Sequence, residues 1–396
     1  MDILDPSPRL PMTDGERLAM TVCGAVFLAL FVIGFAQDWT PRKWGLLFMI
    51  VAWVPLLVIH ELGHAFAAWS VGWRVSEIVI GYGREWKSFY WGETRVRLKV
   101  VPIEGYVLPS PGDLNGPRRK NAWVYFGGPG AEIVVVLMLW WISGGQLFEP
   151  SDEIRMIALQ GVAASAGLGL FYTLIPLPLG GNVTDGLGML MSSNLSDDDF
   201  QDRLAYPVWH EARRRLIIEE SVEAQQLLVD GLKQHPGDDR LRAMQAVAKA
   251  QLGDFDAAES LLKSAALAGG SPILDMARAW IFLMQEEVGL GSYSLQAARN
   301  AASRAPHDPV VLCIFGWALL EASQPREAYQ YLMVAYKQAQ MPEEEGMCLA
   351  LLKVAAENAV PSGANPCIPA DAESRFDGAL KRLPLGKVFA EQVARL

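Results

Sequence analysis

Two histidines and a glutamate stand close together inside one of the most apolar stretches of the chain, LLVIHELGHAFAAW at residues 56–69. His60 and His64 are four residues apart, so on an α-helix they lie on one face, one turn from each other. That spacing lets two neutral imidazoles occupy adjacent positions around one tetrahedral metal ion, while Glu61 beside them can reach a water on the metal. The pattern predicts two zinc ligands, His60 and His64, and a general base, Glu61.

The alternative is a pair of hydrogen-bonded core histidines that match this pattern by chance. A charged side chain at the centre of a membrane helix costs roughly 2.5–3.5 kcal/mol on insertion scales. Water is also missing there as a cheap hydrogen-bond partner. The apolar surroundings therefore favour the metal-binding interpretation over the alternative.

A catalytic zinc ion needs a third protein ligand and one open position. The acidic residues near membrane depth are Glu104, Glu132 and Asp185. Asp185 follows Pro176 and Pro178, which break an apolar helix, and such irregular backbone is tolerated in a membrane only where protein buries it or a wet cavity adjoins it. Asp185 is therefore well placed to complete the site, and the alternative for it is an ordinary turn residue.

The composition divides the chain into two halves. Of its 396 residues 51% are hydrophobic, and long apolar runs extend to about residue 191, whereas the sequence from about residue 196 is charged and rich in Ala and Leu. Four apolar runs are long enough to span a bilayer, at about 19–36, 44–71, 122–143 and 156–175. Basic residues concentrate between the second and third runs, which predicts that this loop and both termini are cytoplasmic.

Two further features exclude classes of protein. The four cysteines, Cys23, Cys313, Cys348 and Cys367, are scattered without CxxC spacing, which argues against a disulfide framework and a structural zinc knuckle. The formal net charge of −10 gives no reason to expect a nucleic-acid partner.

The loop between the second and third runs has strand character. In TRVRLKVVPIEGYV, Val96 and Leu98 alternate with Arg95 and Arg97, the period-two pattern of a strand with one apolar face, and SEIVIGYGREWKSFYW is its predicted partner. We expect a β-hairpin region at 73–108 on the membrane surface. Its basic face could meet anionic lipid, and residues 94–101 could form an edge strand in which Val96 and Leu98 bind substrate backbone; the two interpretations are compatible.

The second half contains an internal repeat. LGDFDAAESLLKSA (252–265) and SQPREAYQYLMVAY (323–336) align with Ala258 over Ala328, an offset of 70 residues that is close to twice the 34-residue tetratricopeptide period. In LCIFGWALL, Gly316 takes the small-residue position that such a repeat requires at a helix–helix contact. We expect degenerate tetratricopeptide-like repeats stacked into a short solenoid, whose concave face would bind a protein or peptide; the alternative is a plain helical bundle.

These elements together predict a mainly α-helical protein. A membrane helix bundle of about four spans with a small surface sheet is followed by an α-helical repeat solenoid. The predicted domains are a membrane-embedded domain at 1–195, cytoplasmic repeats at 196–360 and a tail at 361–396. The acidic run LSDDDFQDR near the first boundary is most simply a solvated linker.

Four motifs in order resemble the site-2 protease family of intramembrane zinc metalloproteases. These are HELGH in the second run, VPIEGYV at the end of the hairpin, FGGPGAE at the start of the third run, and LIPLPLGGNVTDG at the end of the fourth. The resemblance covers about residues 44–192. It implies one Zn²⁺ per chain, bound by His60, His64 and Asp185 with Glu61 as the base, and a substrate that is a membrane-spanning segment cut near the cytoplasmic face.

The chain departs from the family pattern at three places. Glu132 and Thr173 stand where the family usually has asparagines that clamp the substrate backbone, and an apparent insertion at 180–183 separates Asp185 from the preceding proline. We predict substrate binding at Glu132 and Thr173 and at the small-residue surface that includes Gly128 and Pro129, where helices or substrate can approach closely.

The sequence thus predicts a multi-pass metalloendopeptidase of a prokaryotic inner or plasma membrane, active in regulated intramembrane proteolysis. Its expected partners are the lipid bilayer, a membrane protein substrate and a cytoplasmic protein or peptide on the repeats. A non-proteolytic, membrane-anchored adaptor with a degenerate metal site is the alternative from another class. A second enzyme class, in which a glutamate is the third ligand, would use Glu132 in place of Asp185.

Overall fold

The computed structural model describes residues 40–179, 182–266, 271–285, 291–339, 341–359, 380–381 and 383–396, together with scattered positions between 22 and 37. The chain forms two compact units that divide between Leu204 and Ala205. This division lies beyond the expected boundary at 195–196 because the acidic run is not a solvated linker. It forms a short helix whose Phe200 is fully buried, 6.3 Å from the ring of Trp73 in the first unit.

The first unit consists of apolar helices and a sheet. After a 3₁₀ turn, its elements are α1 (Trp44–Ser70), β1 (Arg74–Trp91), β2 (Thr94–Ser110), α2 (Pro117–Ile142), α3 (Ile154–Leu174), the two-residue strands β3 (Pro178–Leu179) and β4 (Asn182–Val183), α4 (Asp185–Met191) and α5 (Asp197–Leu204). Among the described residues, three helices are long and apolar enough to cross a membrane: α1 with its preceding turn, α2 and α3. The other predicted span, 19–36, lies largely outside the described residues.

Strands β1 and β2 fold back on themselves within one sheet. Residues 77–80 of β1 pair with two segments of β2, 95–98 along one side and 105–108 along the other, and 88–91 of β1 pair with 94–97. Gly81 has φ of +100°, and a Cβ there would lie 2.8 Å from the carbonyl oxygen of Lys99, so glycine permits the irregular pairing at this point. The segment 95–98 is therefore an interior part of the sheet.

The expected basic face of the hairpin is not a lipid-facing surface. Arg97 is 1% exposed and Arg95 8% exposed. Nε of Arg97 donates to Oε2 of Glu85 at 2.6 Å, and its Nη1 lies 3.3 Å from Oε2 of Glu77. Burial raises the pKa of Glu85, but Arg97 outweighs burial and holds that pKa below its ordinary range. The period-two pattern identified the charged face but not the acidic side chains that pair with it.

The second unit is entirely helical where it is described. Its helices are α6 (Tyr206–Ile217), α7 (Ser221–Gln234), α8 (Asp239–Gln251), α9 (Phe255–Ala266), α10 (Pro272–Met284), α11 (Gly291–Arg304), α12 (Pro309–Glu321), α13 (Pro325–Gln338), α14 (Pro342–Ala359) and α15 (Lys387–Val393). Helices α7 to α10 recur as α11 to α14. Each helix of the second set begins 70 residues after its counterpart in the first set. The helices thus recur with the period seen in the sequence.

Small residues lie where these helices cross. Ala258 and Ala328, which align in the repeat, are both fully buried. A Cβ on Gly316 of α12 would collide with the side chain of Leu332 on α13. The prediction that Gly316 lies at a helix–helix contact is confirmed, because only a residue without a side chain lets these two helices approach so closely.

The first and later helices of this unit also meet. The buried guanidinium of Arg213 on α6 makes two hydrogen bonds of 2.8 Å to Asp308 and one of 2.9 Å to Glu344 on α14. Cys313 of α12 and Cys348 of α14 lie against each other, with their Cα atoms 5.5 Å apart. Sequence spacing misses such a pair because the fold, not the local chain, brings the two helices together.

The described part of the predicted tail, which includes α15, packs against the same helices. Phe389 is buried with its ring 5.2 Å from that of Trp317, and the carboxylate of Glu219 accepts hydrogen bonds from the backbone N–H groups of Val388 and Phe389 at 2.8 and 2.5 Å. A cavity of about 630 Å³ lies beside α15, lined in part by Trp280 and Met284.

Candidate metal centre

The donor atoms of two histidines and one aspartate converge in the first unit. Nε2 of His60 lies 3.1 Å from Oδ2 of Asp185, Nε2 of His64 lies 3.3 Å from Oδ1 of Asp185, and the two Nε2 atoms are 3.1 Å apart. The histidines come from adjacent turns of α1 and the aspartate from the first residue of α4. The structure thus brings the three predicted ligands together, and it groups only these three among the described His, Cys, Asp and Glu side chains as a possible metal site.

Local contacts hold Asp185 in place at the start of α4. Oγ1 of Thr184 donates to the carbonyl of Ile175 at 2.6 Å and accepts from the N–H of Leu177 at 3.1 Å, which ties the chain after α3 to the residue before the aspartate. At the other end of α4, Nδ2 of Asn121 on α2 donates to Oγ of Ser192 at 2.8 Å. The helix break at Pro176 therefore serves to turn the chain back toward the histidines.

A hydrogen bond to the backbone orients His64. Its Nδ1 lies 2.7 Å from the carbonyl oxygen of Val124 on α2. A carbonyl only accepts, so Nδ1 carries the proton in this pair and Nε2 offers its lone pair toward Asp185. The sequence offers no signal for this contact, because a backbone carbonyl is independent of residue type.

Glu61 lies next to the ligands and is 4% exposed. Its Oε2 has no hydrogen-bond partner among the described residues, and Gly105 of β2 packs directly against the carboxyl group. A Cβ on Gly105 would lie 2.6 Å from Oε1 of Glu61. The glycine of the VPIEGYV motif therefore leaves the space that the carboxylate occupies, a role that the sequence analysis missed.

Glycine is also required on the α2 side of the histidines. A Cβ on Gly128 would collide with Nε2 of both His60 and His64. Pro129, the next residue, is buried within α2 and cannot donate a helix hydrogen bond. Gly128 lies against the metal-facing nitrogens of the histidines, and its predicted contact with substrate stays a prediction.

The other predicted site residues fall into two groups. Glu132 is 5% exposed with Oε1 3.5 Å from Nδ1 of His60, and Oγ1 of Thr173 is buried without a hydrogen-bond partner among the described residues.

Val96 is 6% exposed and belongs to a hydrophobic core, against which Leu98 packs. The prediction of an edge strand at Val96 and Leu98 is wrong, because residues 95–98 have strand partners on both sides.

The residues present fit a zinc ion. Zinc ligands are about 2.0–2.1 Å from the metal, so two of them in a tetrahedron are roughly 3.4 Å apart. The three donor pairs here are 3.1, 3.1 and 3.3 Å apart. Two imidazole nitrogens and a carboxylate are a common donor set for catalytic zinc, and three protein ligands leave the fourth position for water or substrate.

Comparison with known proteins also supports a zinc metalloprotease. The profile of peptidase family M50 matches residues 48–297. A candidate zinc metalloprotease of Campylobacter jejuni is 29% identical over 137 residues, covering 31% of this chain and 37% of that protein. A candidate zinc metalloprotease of Clostridium perfringens is 36% identical over 79 residues, covering 19% and 24%. The regulator of sigma E protease of Haemophilus influenzae is 26% identical over 113 residues, covering 25% and 26%.

The alignments cover only part of each relative. The chain spans about a third of the length of the first two curated relatives it matches, at 37% and 36%. The family match, in contrast, takes in 250 of the 396 residues, counted from 48 to 297, and includes both histidines, Glu61 and Asp185. The chain therefore belongs to peptidase family M50, the family of the site-2 proteases.

Proposed function

We propose that this protein is a zinc endopeptidase that hydrolyses peptide bonds in or near membrane-spanning segments of other proteins. The observation that carries the proposal is the convergence of His60, His64 and Asp185, with the carboxylate of Glu61 beside them in a helix long enough to cross a membrane. Family membership supports a metalloprotease, and the apolar helices support a substrate taken from the bilayer.

A zinc ion held by the two Nε2 atoms and the Asp185 carboxylate would polarise the scissile carbonyl and activate water. Glu61 then accepts a proton from the attacking water and returns it to the leaving nitrogen. Its buried Oε2, which lacks a hydrogen-bond partner among the described residues, is available for that exchange. The hydroxyl of Thr173, which is buried without a hydrogen-bond partner among the described residues, is a further polar group for substrate binding in this proposal.

A helical substrate hides its peptide bonds, so it must unwind before it is cut. We propose that β2 binds the unwound backbone along residues 103–108, next to Glu61. Residues 105–108 pair with residues 77–80 of β1, and Gly105 packs against the carboxyl group of Glu61. Main-chain hydrogen bonds from a strand bind extended peptides regardless of their sequence.

We further propose that the helices at 205–359 are degenerate tetratricopeptide-like repeats that recruit a partner or substrate in the cytoplasm of a prokaryote. Their 70-residue recurrence supports the repeat architecture. In this proposal the cavity of about 630 Å³ beside α15 receives a side chain of the partner.

The test compares the full chain with Glu61→Gln in detergent, using a purified substrate that carries one membrane-spanning segment. Zinc content is measured for both proteins, and cleavage is followed by mass spectrometry of the products. We expect both to bind one zinc ion and only the wild type to cut. Zinc binding by the wild type without cleavage would count against the proposed activity on this substrate. Absence of zinc would refute the proposal and favour the adaptor with a degenerate metal site.

A further inference from the structure

Glu132 lies on the side of His60 that faces away from Asp185. Its Oε1 is 3.5 Å from Nδ1 of His60, whereas Nε2 of the same ring is 3.1 Å from Oδ2 of Asp185. The two ring nitrogens point along different edges of the imidazole. Glu132 is therefore not placed as a third zinc ligand in exchange for Asp185, which was the alternative left by the sequence.

The pair is buried, and each partner has one polar atom without a hydrogen bond. His60 is 7% exposed and Glu132 is 5% exposed. Nδ1 of His60 and Oε2 of Glu132 have no hydrogen-bond partner among the described residues. Buried polar atoms are almost always paired, and a charge-assisted N–H···O contact is about 2.7–2.9 Å long. A small approach of the two side chains would bring Oε1 of Glu132 within hydrogen-bond distance of Nδ1 of His60.

Space for the Glu132 carboxylate is provided by a glycine on α3. A Cβ on Gly169 would lie 2.7 Å from Oε1 of Glu132 and 3.3 Å from its Cδ. Gly167, two residues earlier on the same helix, has no atom within 4 Å of the corresponding Cβ position. Of these two glycines, only Gly169 must lack a side chain to leave room for Glu132.

We propose that Glu132 is a positioning residue for the zinc site: its carboxylate accepts the Nδ1–H of His60 and so keeps the Nε2 lone pair directed at the metal. Val124 does the same for His64 through its backbone carbonyl, at 2.7 Å. Each histidine ligand then has its own acceptor behind it, an arrangement that fixes the tautomer and raises the basicity of the ligand. The inference rests on the proposed function only in taking His60 as a zinc ligand.

The first test measures zinc affinity of the full chain in detergent by competition with a chelator, without using activity. Glu132→Leu, which removes the acceptor at similar volume, should weaken zinc binding about 10–100-fold. Glu132→Gln, which keeps a carbonyl oxygen as acceptor, should stay within about threefold of the wild type. The visible spectrum of bound Co²⁺ should change in the leucine variant and remain close to wild type in the glutamine variant.

The second test leaves Glu132 in place and uses matched glycine variants of α3. Gly169→Ala pushes the carboxylate from its position and should weaken zinc binding as Glu132→Leu does, whereas Gly167→Ala should leave it unchanged. Thermal melting of the zinc-free proteins shows whether each variant is folded, so that loss of affinity is not confused with loss of structure.

Two results would overturn the inference. If Glu132→Leu and Gly169→Ala bind zinc as the wild type does while KM for a membrane-spanning substrate rises, Glu132 contacts substrate instead of His60. If the wild type itself binds no zinc, the proposed function fails together with the inference. The first result leaves the proposed function intact, so the two failures are distinguishable.

Discussion

Gly105 of β2 lies directly against the carboxyl group of Glu61 on α1, so that a Cβ on the glycine would be 2.6 Å from Oε1 of the glutamate. This contact joins the sheet to the helix that carries both histidines. It explains why VPIEGYV contains a glycine at residue 105, although a residue with a side chain is otherwise more favourable than glycine inside a strand. The position of the proposed base is therefore set by the sheet as well as by its own helix.

Gly105→Ala should displace the Glu61 carboxylate without removing a zinc ligand. Because misplacement of a catalytic group by about 1 Å can cost roughly 100-fold in rate, we expect kcat to fall by about that factor while zinc content stays at one per chain. Steady-state kinetics and metal analysis of the purified variant check this. Lys87→Ala, an exposed change in β1 of the same sheet, is the control and should keep wild-type kcat.

Gly128→Ala should abolish zinc binding, because the added methyl group occupies space next to Nε2 of His60 and His64. Gly130→Ala is a matched control on the same helix, since its Cβ would meet only the ring of Phe126 at 3.0 Å and that ring can move. Metal content after dialysis against micromolar zinc distinguishes the two variants. Equal zinc content in both would contradict the close packing of α2 on the histidines.

Asp185→Ala should bind zinc far more weakly than the wild type, since the variant retains only two of the three ligands. A ligand that binds only the folded state stabilises it, so adding zinc should raise the melting temperature of the wild type and not that of the variant. Chelation should reverse the gain for the wild type. A normal zinc-dependent rise in Asp185→Ala would show that another residue is the third ligand.

Asp238 should stabilise the second unit in a pH-dependent way. Its carboxylate accepts hydrogen bonds from the N–H groups of Arg240 and Leu241 at the start of α8, at 2.9 and 3.1 Å. Burial raises the pKa of Asp238, but the Arg240 side chain and these amides outweigh it, so that the pKa lies below its ordinary value. A carboxylate with a depressed folded-state pKa stabilises the fold above its unfolded pKa of about 3.9 and loses that effect as pH falls through the folded pKa.

Asp238→Ala should therefore cost about 1 kcal/mol of stability at pH 7, and the difference from wild type should shrink as the pH is lowered below about 4. Thermal melting of the full chain at pH 7 and at a pH below about 4 measures this difference in stability. Asp230→Ala, an exposed position on α7, should change the stability little at either pH. A difference between Asp238→Ala and wild type that is the same at both pH values would rule out the carboxylate as its cause.

The chemistry of the site could be predicted because it depends on local spacing. Residues four apart on a helix share a face whatever surrounds them, so HELGH determines that His60 and His64 can hold one metal ion. The proline-broken segment before Asp185 likewise marked a carboxylate at the end of an apolar helix. In the second unit, the 70-residue offset determined which small residues, such as Gly316, lie between helices.

Other relationships depended on which segments meet, and local spacing carries no information about that. Alternation in β2 separated Val96 from Arg97, yet only the folded-back sheet placed strand partners on both sides of these two residues. The requirement for a glycine opposite Glu61 and for one opposite Glu132 also depends on which segments meet. Whether a missing side chain makes room for a carboxylate depends on a neighbour from another element, and packing alone decides which neighbour that is.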